Sequence, residues 1–81
     1  MTAGLARLIR EHVAYWLQLL EKGVAVVFGP AADPQGGYGI GIIELPEQEP
    51  PEAISAGDPA VKAGAGFRAE ILAMPALMPR K

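Results

Sequence analysis

Apolar positions near the start of the chain recur at steps of three and four residues. The stripe consists of Leu5, Leu8, Ile9, His12, Trp16, Leu19 and Leu20. This spacing is typical of one face of an amphipathic helix. Thr2 can cap the start of such a helix and Gly23 can end it. The pattern therefore predicts a helix from about Ala3 to Lys22.

Three later runs are rich in β-branched and aromatic residues and predict strands. They are "VAVVF" (Val24–Phe28), "YGIGIIEL" (Tyr38–Leu45) and "FRAEILAM" (Phe67–Met74). Between the last two, "PEQEPPE" has too many prolines for regular structure, and "EAISAG" suits a short helix. In "DPAVKAG", Asp58 is a candidate N-cap, Pro59 suits the first helical position and Gly64 suits the end.

The predicted order of helix, strand, strand, helix and strand indicates an α+β fold with helices on one face of a mostly antiparallel sheet. With 81 residues the chain is a single domain, 1–81, with a Pro-containing tail at 75–81. Three strands and one helical layer would leave the other sheet face and the sheet edges uncovered. We therefore expect a homo-oligomer, a dimer or higher.

Composition excludes several classes of function. The net charge is −2, which argues against a nucleic-acid partner. The chain has no cysteine and one histidine, so neither a zinc finger nor a histidine-based metal cluster is expected, and no cofactor is implied. Apolar runs are too short to span a membrane, and the start becomes charged too early for a signal peptide. These features predict a cytoplasmic protein without a membrane partner.

The stretch "FGPAADPQGGYG" is glycine-rich but lacks the chemistry of a phosphate loop. A P-loop has Lys and Ser or Thr after its last glycine, and a helix follows whose N-terminus meets the anion. Here Ile42, Ile43 and Glu44 follow, within a predicted strand. The dipeptides "DP" and "GG" instead favour a turn between two strands.

His12 is the most informative candidate for chemistry because it lies on the apolar stripe. Imidazole gains or loses a proton near neutrality. His12 is either a core-edge histidine bonded to a backbone carbonyl, or a general acid or base oriented by a carboxylate. Asp58 is the candidate partner, although its position as an N-cap would explain it equally well. Asp33 is a second candidate that reads more easily as a turn residue.

Other polar and aromatic residues have simpler interpretations. An acidic run, which we interpret as solvated surface, comprises Glu44, Glu47, Glu49 and Glu52. Four aromatic residues are interpreted as core or as the wall of a pocket: Tyr15, Trp16, Tyr38 and Phe67.

Three motifs in order resemble the YciI-like (YCII-related) family: "REHVAYWLQLLEKG", "VVFGPAADPQGGYGIGII" and "ISAGDPAVKAGAGFRAEI". The resemblance implies a ferredoxin-like derived αββαβ fold that dimerises through its sheets, as in dimeric α/β-barrel proteins. It also implies an active site with His12 and Asp58 as the catalytic pair. The implied ligand-binding residues are Trp16, Gly29, Pro30 and Tyr38, with Gly36 and Gly37 also in the hairpin.

The few family members with a described activity look like lyases that act on small chlorinated ring-cleavage acids or lactones, by removing a proton beside a carbonyl. This sequence departs from the family in one respect. Members normally begin with a strand, whereas residues 1–9 here read as the start of the helix. Two hypotheses follow: a small lyase- or hydrolase-type enzyme with a His–Asp pair, or a non-catalytic ligand-binding or assembly module.

Overall fold

The N-terminal helix α1 forms as the apolar stripe predicts. In the computed structural model, which describes residues 2–64 and 66–78, α1 spans Ala3–Glu21. The Thr2 hydroxyl accepts a hydrogen bond from the Leu5 N–H at 3.1 Å, which satisfies one of the free N–H groups of the first turn. At the other end Gly23 has a φ of 76°, the left-handed conformation that glycine adopts most easily. Both predicted ends are confirmed to within one residue.

Two strands follow and pair as an antiparallel hairpin. They are β1 (Ala25–Ala31) and β2 (Tyr38–Ile43), with Val27 opposite Ile42. β1 continues three residues past its predicted end at Phe28, so Gly29 and Pro30 lie in a strand and not in the turn. A proline is tolerated there because in a two-stranded sheet both strands are edges. The predicted turn is confirmed between the strands.

Two short helices carry the next motif. α2 spans Glu52–Gly57 and α3 spans Pro59–Lys62, as predicted. Asp58 separates them and caps α3, because its Oδ1 accepts from the Ala60 N–H at 2.9 Å. Gly64, at a φ of 64°, follows the end of α3.

The predicted third strand at Phe67–Met74 is wrong. Its described residues have no regular secondary structure, and the sheet contains β1 and β2 alone among the described residues. A strand requires a hydrogen-bonded neighbour, whatever its propensity. Here no other strand pairs with the segment, and Leu72 is 87% exposed. The tail from Pro75 to Met78 is equally irregular, and positions 79–81 lie outside the described residues.

The α+β fold class is confirmed, with an arrangement consistent with a ferredoxin-like derived fold. α1 packs against β1 and α3. The apolar residues buried in the described part of the chain are few and small: Leu19, Ala25 and Ala60. Within the same ranges, no helix is long and apolar enough to cross a membrane.

The two faces of the sheet differ in what covers them. Phe28 and Gly41 are paired across the strands and both lie against the Trp16 ring of α1. Because side chains alternate along a strand, the next pairs point to the opposite face. That face carries Val27, Tyr38 and Ile40, each about half exposed.

Candidate active site

The packing of α1 against α3 brings His12 and Asp58 into contact. The His12 Nδ1 atom lies 2.7 Å from Asp58 Oδ2 and 2.9 Å from Oδ1. The His12 side chain is 27% exposed and that of Asp58 is 7% exposed. The imidazole therefore remains accessible while its carboxylate partner is shielded from water.

The other partners of Asp58 fix its charge and the tautomer of His12. Oδ1 accepts from the Ala60 N–H and Oδ2 accepts from Trp16 Nε1, each at 2.9 Å. Both of these groups can only donate a hydrogen bond. Each Asp58 oxygen is thus an acceptor, as in an ionised carboxylate, and His12 Nδ1 must carry the donated proton. A neutral His12 then has its lone pair on Nε2, where a general base needs it.

The Trp16 ring is held by the sheet. It stacks on Phe28, with ring centroids 5.9 Å apart and an angle of 28° between the planes. On β2 it lies over Gly41, where an added Cβ would stand 2.6 Å from the Trp16 Cζ3 atom. Only glycine leaves enough room for the ring at this position.

A hydrogen bond from Tyr15 holds α2, the helix that precedes Asp58, against α1. Its hydroxyl donates to the Ile54 carbonyl oxygen of α2 at 2.6 Å. Gly57 allows this approach, because a Cβ there would lie 2.6 Å from the Tyr15 Oη. Burial and, secondarily, the negative charge of Asp58 raise the pKa of Tyr15 above its ordinary value of 10.0. Tyr15 therefore remains a neutral donor across the physiological range.

His12 opens onto a cleft of about 2080 Å³ between α1, the hairpin β1–β2 and the irregular segment 66–77. The residues expected to bind a ligand all line this cleft: Trp16, Gly29, Pro30 and Tyr38. Tyr38 belongs to the face of the sheet opposite Trp16, so the cleft extends around the edge of the hairpin. The cleft exceeds the roughly 300–1,000 Å³ of ordinary small-molecule sites. It is a broad trough, with the His12–Asp58 pair in part of its wall.

Acidic groups predominate among the charged side chains of the cleft. Besides His12 and Asp58, the charged lining residues in the described part of the chain are Glu44, Glu47, Glu49, Arg68 and Glu70. Arg68 is 84% exposed, and it forms an ion pair with Glu70 at 3.2 Å. Among the described residues, the Arg or Lys side chain that lines the cleft is Arg68, which is already paired and in water.

The structure brings together His12 and Asp58 but separates Asp33 from them. Asp33 caps its own turn by accepting from the Gln35 N–H at 2.9 Å. Both interpretations of Asp58 hold together, since it caps α3 and binds His12. Sequence reasoning missed the Trp16 N–H as a third partner. Part of the signal was present, because His12 and Trp16 are four residues apart and lie on one face of a helix.

The acidic run does not form a metal site in the part of the chain that the structure describes. No group of three or more His, Asp or Glu side chains in residues 2–64 and 66–78 could hold a metal ion. All four glutamates of the run are exposed, as expected of a solvated surface.

Comparison with known proteins places the motifs in a family. The family described as "YCII-related domain" matches residues 3–75. The match includes α1, both strands, the α2–α3 motif and most of the irregular segment. No curated protein and no solved structure matches the chain.

Proposed function

The chain belongs to the YCII-related family, and from that premise we propose that it is a lyase-type acid–base enzyme in which His12 removes a proton beside a carbonyl of a small molecule. The observation that carries the proposal is the His12–Asp58 pair. Its carboxylate is buried and fully bonded, and its imidazole faces an open cleft.

In the proposed reaction each member of the pair has one role. His12 Nε2 accepts the proton of a C–H bond, and the electron pair of that bond moves toward the carbonyl oxygen as an enolate. The imidazolium that results is stabilised by Asp58, which also holds Nδ1 and so aims Nε2. The proton returns to carbon, or a leaving group departs with the electron pair.

The charges of the cleft favour a neutral substrate, such as a lactone, over a free carboxylic acid. Four glutamates line the cleft and repel an anion. The Arg or Lys side chain found there among residues 2–64 and 66–78 is the solvated and paired Arg68, and exposed ion pairs contribute little binding energy. A lactone places its carbonyl beside acidic C–H bonds without bringing a negative charge.

Proton abstraction can be measured without knowing the natural substrate. The probe is 2(5H)-furanone, an unsaturated lactone, incubated in deuterium oxide with the protein. Its C5 protons are acidic because the C3–C4 double bond conjugates them to the carbonyl, so their removal leaves a dienolate, the extended form of the proposed enolate. Their exchange for deuterium is followed by proton NMR. We expect exchange above the buffer rate with the wild-type protein. Its ring-opened anion, 4-hydroxybut-2-enoate, should perturb the His12 resonances only at higher concentrations than the lactone does.

The decisive variant is His12→Asn, whose amide nitrogen occupies roughly the place of Nδ1 and can still donate to Asp58. It lacks Nε2, so exchange should fall to the buffer rate while the fold persists. Glu11→Gln, on the exposed side of α1, is the matched control and should exchange as the wild type does. Equal exchange by wild type and His12→Asn would refute His12 as the base.

A second proposal concerns assembly, and it rests on the small amount of apolar surface that a single chain buries. Half of its residues are hydrophobic, at 51%. Nevertheless, the buried apolar residues in the described part of the chain are Leu19, Ala25 and Ala60. One face of the sheet exposes Val27, Tyr38 and Ile40. We propose that a second copy covers this face, as in sheet-to-sheet dimers, because such packing pairs two apolar surfaces of the same shape.

Sedimentation velocity tests the assembly. We expect a dimer or larger species at micromolar concentration, and Ile40→Glu should shift it toward monomer by placing a charge within the apolar face. Glu47→Gln, a surface change outside β2, serves as the control. A wild-type chain that sediments as a folded monomer at all concentrations contradicts the proposal. So does a variant that assembles as well as the wild type.

A further inference from the structure

Trp16 was expected to lie in the core or in a pocket wall and to bind a ligand, and in the structure its indole nitrogen also contacts the His12–Asp58 pair directly. Nε1 donates to Asp58 Oδ2 at 2.9 Å, and His12 Nδ1 lies 2.7 Å from the same oxygen. The Ala60 N–H occupies the other carboxylate oxygen. The carboxylate is thus held at both oxygens by donors other than His12, and its plane cannot turn without breaking one of these bonds.

The position of the indole is determined in turn by the sheet. Phe28 on β1 stacks on the ring, and Gly41 on β2 lies beneath it. These two residues are direct neighbours across the strands. A chain of contacts therefore runs from the hairpin through the indole to the carboxylate, and from there to His12.

We infer that Trp16 is a positioning residue, which uses its N–H to hold Asp58 in the orientation that keeps the proton of His12 on Nδ1. Without this donor, Oδ2 loses one of its two fixed partners and the carboxylate can rotate about its bond to Cβ. The proton then distributes between Nδ1 and Nε2, and fewer molecules present a free Nε2. The catalytic consequence rests on the proposed function, whereas the effect on the tautomer does not.

The replacement of the indole N–H leaves the other ionisable groups near the pair chemically intact. Tyr15, on α1, lies near enough to Asp58 for the carboxylate charge to raise its pKa. The remaining charged groups of the cleft lie on or after β2: Glu44, Glu47, Glu49, Arg68 and Glu70. An experiment that alters only the N–H of Trp16 therefore isolates its contribution.

Such an experiment is possible because the chain has one tryptophan, one histidine and 81 residues, within reach of chemical synthesis. Trp16 is replaced by β-(3-benzothienyl)alanine, in which sulfur takes the place of the indole N–H and the ring keeps its shape. His12 carries ¹⁵N in both ring positions, and the nitrogen chemical shifts report the tautomer. Trp16→Phe, made in cells, is the second variant. The thermal midpoint of each chain shows that it folds.

In the wild-type chain we expect the ¹⁵N chemical shifts of a neutral imidazole that carries its proton on Nδ1. In the benzothienyl chain we expect the two nitrogen shifts to move toward each other, and the exchange of 2(5H)-furanone to slow at least about tenfold with KM nearly unchanged. A ring that acts only as packing would leave the tautomer unchanged, because the isostere fills the same space. Unchanged nitrogen shifts in the folded variant overturn the inference. If the nitrogen shifts change but neither the wild-type nor the variant chain exchanges the lactone protons, the role of Trp16 is supported and only the proposed reaction is contradicted.

Discussion

His12 and Asp58 are 46 residues apart in the chain, and their side chains meet at 2.7 Å. The contact depends on two local features that the sequence encodes separately. The apolar stripe of α1 turns His12 toward the rest of the fold, and the cap of α3 fixes the Asp58 backbone and Oδ1. One carboxylate therefore serves both the helix and the histidine.

Substitution of Asp58 by asparagine should separate these two roles. Asparagine is as good an N-cap as aspartate, so α3 should remain capped. Its amide group offers only one acceptor oxygen, so at least one of the Trp16 and His12 donors loses its partner. We expect the free energy of unfolding to fall by about 1–3 kcal/mol, measured by urea denaturation.

Asp33→Asn is the matched control for that change. Asp33 is exposed and caps its own turn, a task that asparagine performs as well. Its effect should be within about 0.5 kcal/mol. Equal effects of the two substitutions would show that the contacts of Asp58 with His12 and Trp16 contribute nothing to stability.

A second prediction follows from the contact between Gly41 and the Trp16 ring. A Cβ at position 41 would lie 2.6 Å from the ring, so Gly41→Ala must displace the indole or the strand. We expect a loss of about 1–3 kcal/mol in stability, typical of overpacking. The near-ultraviolet circular dichroism of the single tryptophan should change as well.

Gly39→Ala provides the comparison on the same strand. At that position the nearest atom to an added Cβ is the Gly29 carbonyl oxygen at 4.0 Å, an ordinary contact. This variant should keep the tryptophan spectrum and lose little stability. If both alanines behave alike, the Gly41 contact does not constrain the ring.

Local features of the chain were predicted correctly from sequence, and so was the long-range contact of His12 with Asp58, which the family resemblance implied. Two other features that need a distant partner were not. Thr2, Asp58 and Gly23 act within a few residues of themselves, so their roles could be inferred from spacing alone. The segment Phe67–Met74 has the composition of a strand, yet strand formation depends on a neighbour that its own sequence does not specify. The Trp16 bond to Asp58 was missed for the same reason. Helical spacing places Trp16 beside His12, but it does not show which acceptor the indole will meet.

Tyr15 should make stability depend on pH in the alkaline range. Its pKa is raised in the fold above the ordinary 10.0, so the unfolded chain loses this proton first as pH rises. The free energy of unfolding is independent of Tyr15 below about pH 10 and falls as the pH rises from there through the raised pKa. Denaturation of wild type and Tyr15→Phe at pH 8 to 11 measures this contribution.

Phenylalanine at position 15 loses the bond to Ile54 and should lower stability at pH 8. The free energy of unfolding of this variant should also decline less steeply than that of the wild type above pH 10. Tyr38→Phe, at a half-exposed position without this bond, should follow the wild-type slope. Parallel slopes for wild type and Tyr15→Phe would contradict the predicted linkage.

Gly57 and Tyr15 should be coupled, because a Cβ at Gly57 would stand 2.6 Å from the Tyr15 Oη and 3.3 Å from Cζ. Gly57→Ala should therefore expel the hydroxyl from its bond with Ile54 and lower stability by about 1–3 kcal/mol. In a Tyr15→Phe background the bond is already absent and the most crowded atom has been removed. In that background Gly57→Ala should lower the free energy of unfolding by less than it does in the wild type, and a double-mutant cycle should give a difference of at least about 0.5 kcal/mol. Strict additivity of the two substitutions would show that the hydroxyl is not what the glycine accommodates.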